Sequence, residues 1–476
     1  MCGMLLAVLV ATWPVAGPGS SPDSAEMRLF ARLGPATGYA LVAGDADRNG
    51  RPELYANKKG APGLVVFEHR VGNRFDTLYV PGAFGRLWCI GDADGDGRDE
   101  LLTQFSAHPY YVGPALYKVR DAGRFPDSLV WADSTMIGME QSRLCAIHDL
   151  DGDSLFEVSA PVGSVSVVLM EFARVLFEYR GGNRYDSIAT LVIEVGPDRF
   201  VSPTQQICIT DDLDGNGRPE LCGGTLNGWL SIWESVADDL FVCVYAELAA
   251  PDWGGVVTGA AAGPDIDRDG RPEVFFSALT DEGWVLMMYE AFGIGTFERV
   301  WQTTMSGGDK WSDSRLAVGD LDGDSVPELV ATTGSHVLVY KCAGNDSFHL
   351  WWRHEAEGIE VTVYDINGDG RNELIFEHDN GIEVWKYGSI GVAEHERRRL
   401  AAVSVEPSVV RVGASVRLVG LPEAAGVSLL DVTGRVVRAS EVRGEYLATR
   451  GLGAGTYFLR VESGPHAVHH KLLVVD

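Results

Sequence analysis

Short apolar runs separated by compact polar turns make up most of the chain. Ala40-Leu41-Val42-Ala43 and Glu328-Leu329-Val330-Ala331 are such runs, apolar and partly β-branched, and they read as strands. The runs recur in a fixed order. One strand ends in Gly-Asp or a near equivalent, an acidic turn follows, and a second strand opens with Glu-Leu or Glu-Val. A third strand carries an aromatic or aliphatic core, as in Gly63-Leu64-Val65-Val66-Phe67-Glu68, Trp229-Leu230-Ser231-Ile232-Trp233-Glu234 and Gly381-Ile382-Glu383-Val384-Trp385-Lys386. A fourth opens with an aromatic residue: Phe75-Asp76-Thr77-Leu78, Tyr185-Asp186-Ser187-Ile188, Phe297-Glu298-Arg299-Val300. Four antiparallel strands per repeat, repeated radially, is the blade pattern of a β-propeller. The expected fold is all-β, with seven blades over residues 27–388.

The acidic turns carry the candidate chemistry. In Asp92-Ala93-Asp94-Gly95-Asp96-Gly97-Arg98-Asp99-Glu100, oxygen-bearing side chains fall at positions one, three, five and nine, with glycine at six. That spacing points four carboxylates and one backbone carbonyl at a common centre, which suits a hard cation, calcium best of all. The pattern recurs every ~45 to 63 residues, a spacing close to that of repeat architectures. The candidate ligands are Asp45, Asp47, Asn49, Glu53; Asp92, Asp94, Asp96, Glu100; Asp149, Asp151, Asp153, Glu157; and Asp212, Asp214, Asn216, Glu220. The last three loops offer Asp265, Asp267, Asp269, Glu273; Asp320, Asp322, Asp324, Glu328; and Asp365, Asn367, Asp369, Glu373. An EF-hand starts in the same way but needs a bidentate glutamate at position twelve between two helices. Position twelve here is Ala56, Thr103, Ala160, Gly223, Phe276, Ala331 or Phe376, and the flanks read as strands.

The seventh repeat stops after its third strand at Trp385-Lys386-Tyr387. Met27-Arg28-Leu29-Phe30-Ala31-Arg32-Leu33, ahead of the first repeat, resembles the missing outer strand. Pairing the two would close the ring and leave no open sheet edge.

Composition adds three constraints. The formal charge of −28 is nearly matched by the acidic side chains at the ligand positions alone, so it reads as a metal-binding signature. With no basic stripe, the surface is unsuited to nucleic acid. Seven cysteines include no CxxC. Cys89, Cys145 and Cys208 precede three successive loops at nearly the same place, which suggests one buried strand position filled by a small apolar residue rather than metal ligation, while Cys208 and Cys222 flank one loop and could also form a disulfide.

The ends differ from the body. The apolar run Met4 to Trp13, followed by small residues near Ala16 and Gly17, has the shape of a secretory signal peptide over residues 1–17. It is too short to span a bilayer, and no later segment qualifies as transmembrane. Glu394-His395-Glu396-Arg397-Arg398-Arg399 lies in a charged linker, residues 389–404. Residues 405–476 lack acidic loops and alternate as the strands of a small immunoglobulin-like β-sandwich.

The loops between paired strands resemble the FG-GAP/VCBS repeats of integrin α-subunit propellers and of many secreted bacterial proteins. The resemblance covers roughly residues 27–388. It implies up to seven structural calcium ions held by positions one, three, five and nine, with the position-seven carbonyl added. Ser154 and Ser325 depart from it at the turn glycine, where a non-glycine residue in the left-handed region costs about 1 kcal/mol. Asn367 departs at position three. The C-terminal segment resembles the sorting domain of type IX secretion cargo. The matching stretches are Val405-Glu406-Pro407-Ser408, Leu430-Asp431-Val432-Thr433-Gly434-Arg435-Val436-Val437, Leu452-Gly453-Ala454-Gly455-Thr456-Tyr457 and Lys471-Leu472-Leu473-Val474, with Glu406 where Asn is usual. This implies type IX secretion machinery as a partner and a secreted or surface-attached protein. A plain accessory sandwich is the alternative.

No HExxH, GxSxG or phosphate-cradling glycine loop is present, and the carboxylate pairs are already committed to the metal loops. The expected role is binding or adhesion to an extracellular glycan or protein. Its candidate residues are His108, Tyr110, Tyr111, Trp253, Lys310 and Trp311, on the face away from the loops, though the same residues could merely plug blade tops. A polysaccharide-degrading enzyme on a propeller scaffold and a structural surface component are the alternatives.

Overall fold

The computed structural model describes residues 27–34, 41–57, 63–80, 84–108, 111–119, 125–133, 147–163, 172–196, 199–252, 254–308, 313–356, 358–378, 381–388, 404–419, 426–432, 435–439, 442–443, 446–463 and 466–475. The signal-peptide segment, the linker up to residue 403, Cys145, Tyr110, Trp253, Lys310 and Trp311 lie outside them, as do the side chains of His108 and Tyr111. The chain divides into two compact units that part after Gly388.

Among the described residues the first unit contains seven four-stranded antiparallel sheets, blade-like in form. Sheets 1 to 6 span residues 41–80, 84–132, 147–191, 207–248, 256–304 and 316–355, each with its strands in chain order. Sheet 7 takes three strands from residues 358–387 and its fourth from Met27–Leu33. That strand runs antiparallel to Gly381–Tyr387, with Met27 opposite Tyr387 and Leu33 opposite Ile382, and Arg32 Nε donates to Glu383 at 2.9 Å. A two-stranded hairpin, Ile193–Gly196 with Arg199–Val201, sits between sheets 3 and 4 and has no counterpart in the sequence-based expectation. Among the described residues there is no helix, and so none long and apolar enough to cross a membrane.

Alternation along the strands buries apolar residues on both faces of each sheet, and the cores lie between sheets. One cluster joins Val42, Tyr55 and Val66 of sheet 1 to Leu87, Leu101 and Ala115 of sheet 2. The next joins Leu102 and Leu116 to Val158 and Phe177 of sheet 3, and another joins Leu176 to Leu221 and Trp233 of sheet 4. Further clusters link sheets 4 and 5, 5 and 6, and 6 and 7. The last returns to the start, with Ile375, Ile382 and Val384 of sheet 7 and the N-terminal Phe30 and Leu33 against Leu41, Leu54 and Phe67 of sheet 1. First strands approach closely where sheets meet. A Cβ on Gly319, at the end of one first strand, would lie 2.4 Å from Val363 Cγ1 of the next sheet, which explains the glycine ahead of Asp320.

Among its described residues the second unit holds a four-stranded and a five-stranded sheet, the latter containing one parallel pair, Val409–Arg411 with His466–Val475. Val416, Leu418 and Leu447 of one sheet meet Val427, Leu429, Leu459, Val461 and Leu472 of the other in a single apolar cluster.

Candidate metal centres

Each acidic turn connects the first and second strands of its sheet, with strands and no helix on its flanks. The turn is held by hydrogen bonds internal to it. Asp92 accepts the N–H groups of Gly95 at 2.8 Å and Gly97 at 2.7 Å, Asp94 accepts Asp96 N–H at 3.2 Å, and Asp96 accepts Arg98 N–H at 2.9 Å. Each aspartate thus bonds the backbone two to five residues on, and the turn curls around its own carboxylates.

Two backbone positions require the left-handed region. Position six has φ between 67° and 98° in all seven loops, and position four between 53° and 83°. Ser154 at φ 74° and Ser325 at φ 67° adopt the glycine conformation, and their N–H groups reach Asp149 and Asp320 at 3.0 and 2.9 Å. The two departures therefore leave loop geometry unchanged. Position four, filled by Arg48 and Arg268 in two loops, is a constraint the residue pattern had not signalled.

Position two is a buried apolar anchor throughout: Ala46, Ala93, Leu150, Leu213, Ile266, Leu321 and Ile366. In loops 2 to 7 its N–H donates to the position-nine glutamate, for example Ala93 to Glu100, Leu213 to Glu220 and Leu321 to Glu328, each at 2.8 Å. Six of the seven position-nine glutamates are fully buried, and Glu53 nearly so. In loop 1 the Tyr55 hydroxyl donates to Glu53 at 2.9 Å.

A carboxylate buried this way needs a counter-charge. Glu157 Oε1, Glu220 Oε1 and Asp265 Oδ1 are buried with no hydrogen-bond partner. Donor atoms of Asp45, Asp47 and Glu53, of Asp92, Asp94 and Glu100, of Asp149, Asp151 and Glu157, and of Asp212, Asp214 and Glu220 converge within 4.8 Å in each set. Without a cation, burial pushes the carboxyl of Glu157 up to about 9, that of Glu53 up to about 8, and those of Glu220 and Glu273 up to about 7. An all-oxygen donor set with orphaned buried lone pairs fits a hard divalent cation.

The next sheet reaches into several loops. The N–H groups of Asp239, Gly295 and Asp346, at third-to-fourth-strand turns, donate to Asp151, Asp214 and Asp267 at 3.0, 2.7 and 2.7 Å. These position-three aspartates thus tie their own turn to the neighbouring sheet.

At the opposite strand ends, sheets 4 to 6 share a buried polar network. Gln206 exchanges two hydrogen bonds with the backbone of Leu316, at 2.8 and 3.0 Å, reaching past sheet 5. Thr258 Oγ1 accepts Ser314 N–H at 3.1 Å, and Arg315 Nη1 donates to the Thr258 carbonyl at 3.0 Å. His108 and Tyr111 pair across the hairpin joining the second and third strands of sheet 2, at the end away from its acidic turn. Cys208 and Cys222 stand directly opposite in sheet 4, as free thiols.

The FG-GAP-like repeat family matches residues 265–331, which contain loops 5 and 6. No curated protein matches the chain. Among solved structures, PorZ, a bacterial surface component of the type IX secretion system of Porphyromonas gingivalis, is similar at 14% identity and TM-score 0.43, over 92% of this chain and 59% of that one. The structure of BBS1N in complex with ARL6DN is similar at 9% identity and TM-score 0.47, over 75% and 94%. The extracellular domain of BT3049 from B. thetaiotaomicron is similar at 10% identity and TM-score 0.42, over 94% and 57%. The chain spans less than two thirds of the PorZ and BT3049 chains it matches.

Proposed function

We propose that residues 27–388 form a seven-bladed β-propeller whose hairpins are clipped by calcium, and that the protein is a secreted or surface-attached module binding extracellular glycan or protein. The cyclic succession of seven shared cores carries this reading, because it brings every acidic turn to equivalent places and leaves the opposite strand ends for a ligand. The calcium is structural. It cancels repulsion among carboxylates that would otherwise open the turn, so binding and folding are linked. The C-terminal unit, an immunoglobulin-like sandwich in this reading, serves export through a type IX-like route. A glycan array probed with the full chain tests the binding role. Selective, calcium-dependent retention of a glycan class is the expected result, and no retention of any glycan or extracellular-matrix protein, with calcium bound and the fold intact, would overturn it. Secretion of a carrier fused to residues 389–476 from a type IX-competent bacterium tests the route.

A further inference from the structure

The seven loops differ in one residue that lies outside the loop. The third strand places a charged side chain directly opposite the position-nine glutamate in every sheet. In sheets 1, 3, 4 and 5 the register pairs Glu53 with Glu68, Glu157 with Glu178, Glu220 with Glu234, and Glu273 with Glu290. In sheets 2, 6 and 7 the equivalent residue is Lys118, Lys341 or Lys386, each following the residue opposite Leu101, Leu329 or Leu374.

These lysines reach into the ligand cluster. Lys118 Nζ lies 2.8 Å from Asp94, 2.5 Å from Asp96 and 3.2 Å from Glu100. Lys341 Nζ contacts Asp322, lies 2.7 Å from Asp324 and donates to Glu328 at 3.1 Å. Lys386 Nζ contacts Asp369 and lies 3.0 Å from Glu373. The ammonium therefore touches the oxygens at positions five and nine, and also at three in two loops, the ones a cation would use. In the glutamate class no described lysine enters the cluster, and in loop 5 Arg271 Nη1 lies 2.7 Å from the position-five Asp269 without reaching Glu273. Glu157 Oε1 and Glu220 Oε1 have no partner, and Glu290 adds a fully buried, unpartnered Oε1 beside loop 5. Nearby guanidinium groups also meet the third-strand glutamate: Arg51 at 3.4 Å from Glu68, Arg218 at 3.8 Å from Glu234, Arg271 at 3.4 Å from Glu290, and Arg180 against Glu178.

We propose that the loops are of two kinds: those of sheets 1, 3, 4 and 5 take a divalent cation, and those of sheets 2, 6 and 7 are closed by their own lysine and take none. The inference rests on the calcium reading above. A divalent ion and an ammonium cannot share the same oxygens, because calcium binds oxygen at about 2.3–2.6 Å and its charge would repel the lysine. Reversal of charge at one strand position thus decides whether a loop depends on solution calcium.

Calcium stoichiometry of the full chain, measured by elemental analysis after chelation, reloading and removal of free ion, is the primary test. Four ions per chain are expected, five in Lys341→Met and three in Glu290→Lys. Seven ions in the unmodified protein would overturn this inference and leave the calcium reading intact. No bound ion, with melting indifferent to chelator, would overturn both. Lysine acetylation mapped by mass spectrometry with and without calcium requires no variant. Lys118, Lys341 and Lys386 should stay equally protected in both, and labelling induced by calcium would show that the ion displaces them.

Discussion

The two units of this chain use the same strand chemistry and secure it differently. In the C-terminal unit, two sheets close on one apolar cluster, and Leu418, Leu459 and Leu472 are fully buried in it. In the first unit, apolar clusters between sheets are joined by hairpins that carry buried glutamates next to two or three aspartates. Hydrophobic burial holds regardless of ions, whereas a cluster of carboxylates is stable only when neutralised. The comparison teaches that all-β architecture does not by itself set how stability responds to the medium. The turns do.

Chelation should separate the units most sharply. Each calcium site saturated about 100-fold above its Kd contributes about 2.7 kcal/mol, and a large domain gains roughly 2 °C per kcal/mol. With four such sites, removing calcium should lower the melting temperature of the first unit by about 20 °C and leave that of the second unmoved, as read by calorimetry of the full chain. Equal shifts in both units would break the comparison.

Leu459→Ala should act in the reverse sense. A buried leucine truncated to alanine costs about 2–5 kcal/mol, and here the loss should fall on the C-terminal transition and be the same with calcium or chelator.

The pH dependence sharpens the contrast. In chelator, burial holds Glu157 at about 9 and Glu273 at about 7, above the ordinary 4.5, so the folded unit keeps protons that the unfolded chain releases. Its stability should fall as pH rises from about 5 to 9. With calcium bound, the carboxylates are held ionised, and stability should instead be kept at neutral pH and lost on acidification below about 4.5. Melting curves at several pH values, with and without calcium, check the change of sign.

The smallest effect should come from Ser154→Gly and Ser325→Gly. Both serines sit in the left-handed region, so each change should stabilise by about 0.5–1 kcal/mol if no other contact is lost. Chemical denaturation at fixed calcium measures it.

Much of this architecture could be read from residue order. Alternating acidic positions, the Glu-Leu strand start and the incomplete seventh repeat pointed to strand-flanked turns and to the pairing of Met27–Leu33 with Gly381–Tyr387. The third-strand glutamates and lysines escaped notice because they reach the loop only through hairpin register, well over ten residues along the chain. A signal was present: each third strand reads aromatic-then-charged, as in Phe67-Glu68, Tyr117-Lys118, Phe177-Glu178 and Tyr340-Lys341. The aromatic faces the core and turns its neighbour toward the carboxylates, since side chains alternate along a strand. Position two and position four were missed for a similar reason. A small or aliphatic residue and an arginine look unremarkable until the backbone shows what each must do. The hairpin at residues 193–201 falls outside the repeat and left no periodic trace.

The pairing of the first described strand with Gly381–Tyr387 bears on how the protein is made. Arg32 bonds to Glu383 across 351 residues, a separation no local nucleus can bridge. During synthesis from the N-terminus, Met27–Leu33 must therefore wait, unpartnered, until nearly the whole first unit has emerged. A product truncated before Gly381 keeps that segment's backbone donors and acceptors exposed, a ready substrate for chaperones and proteases.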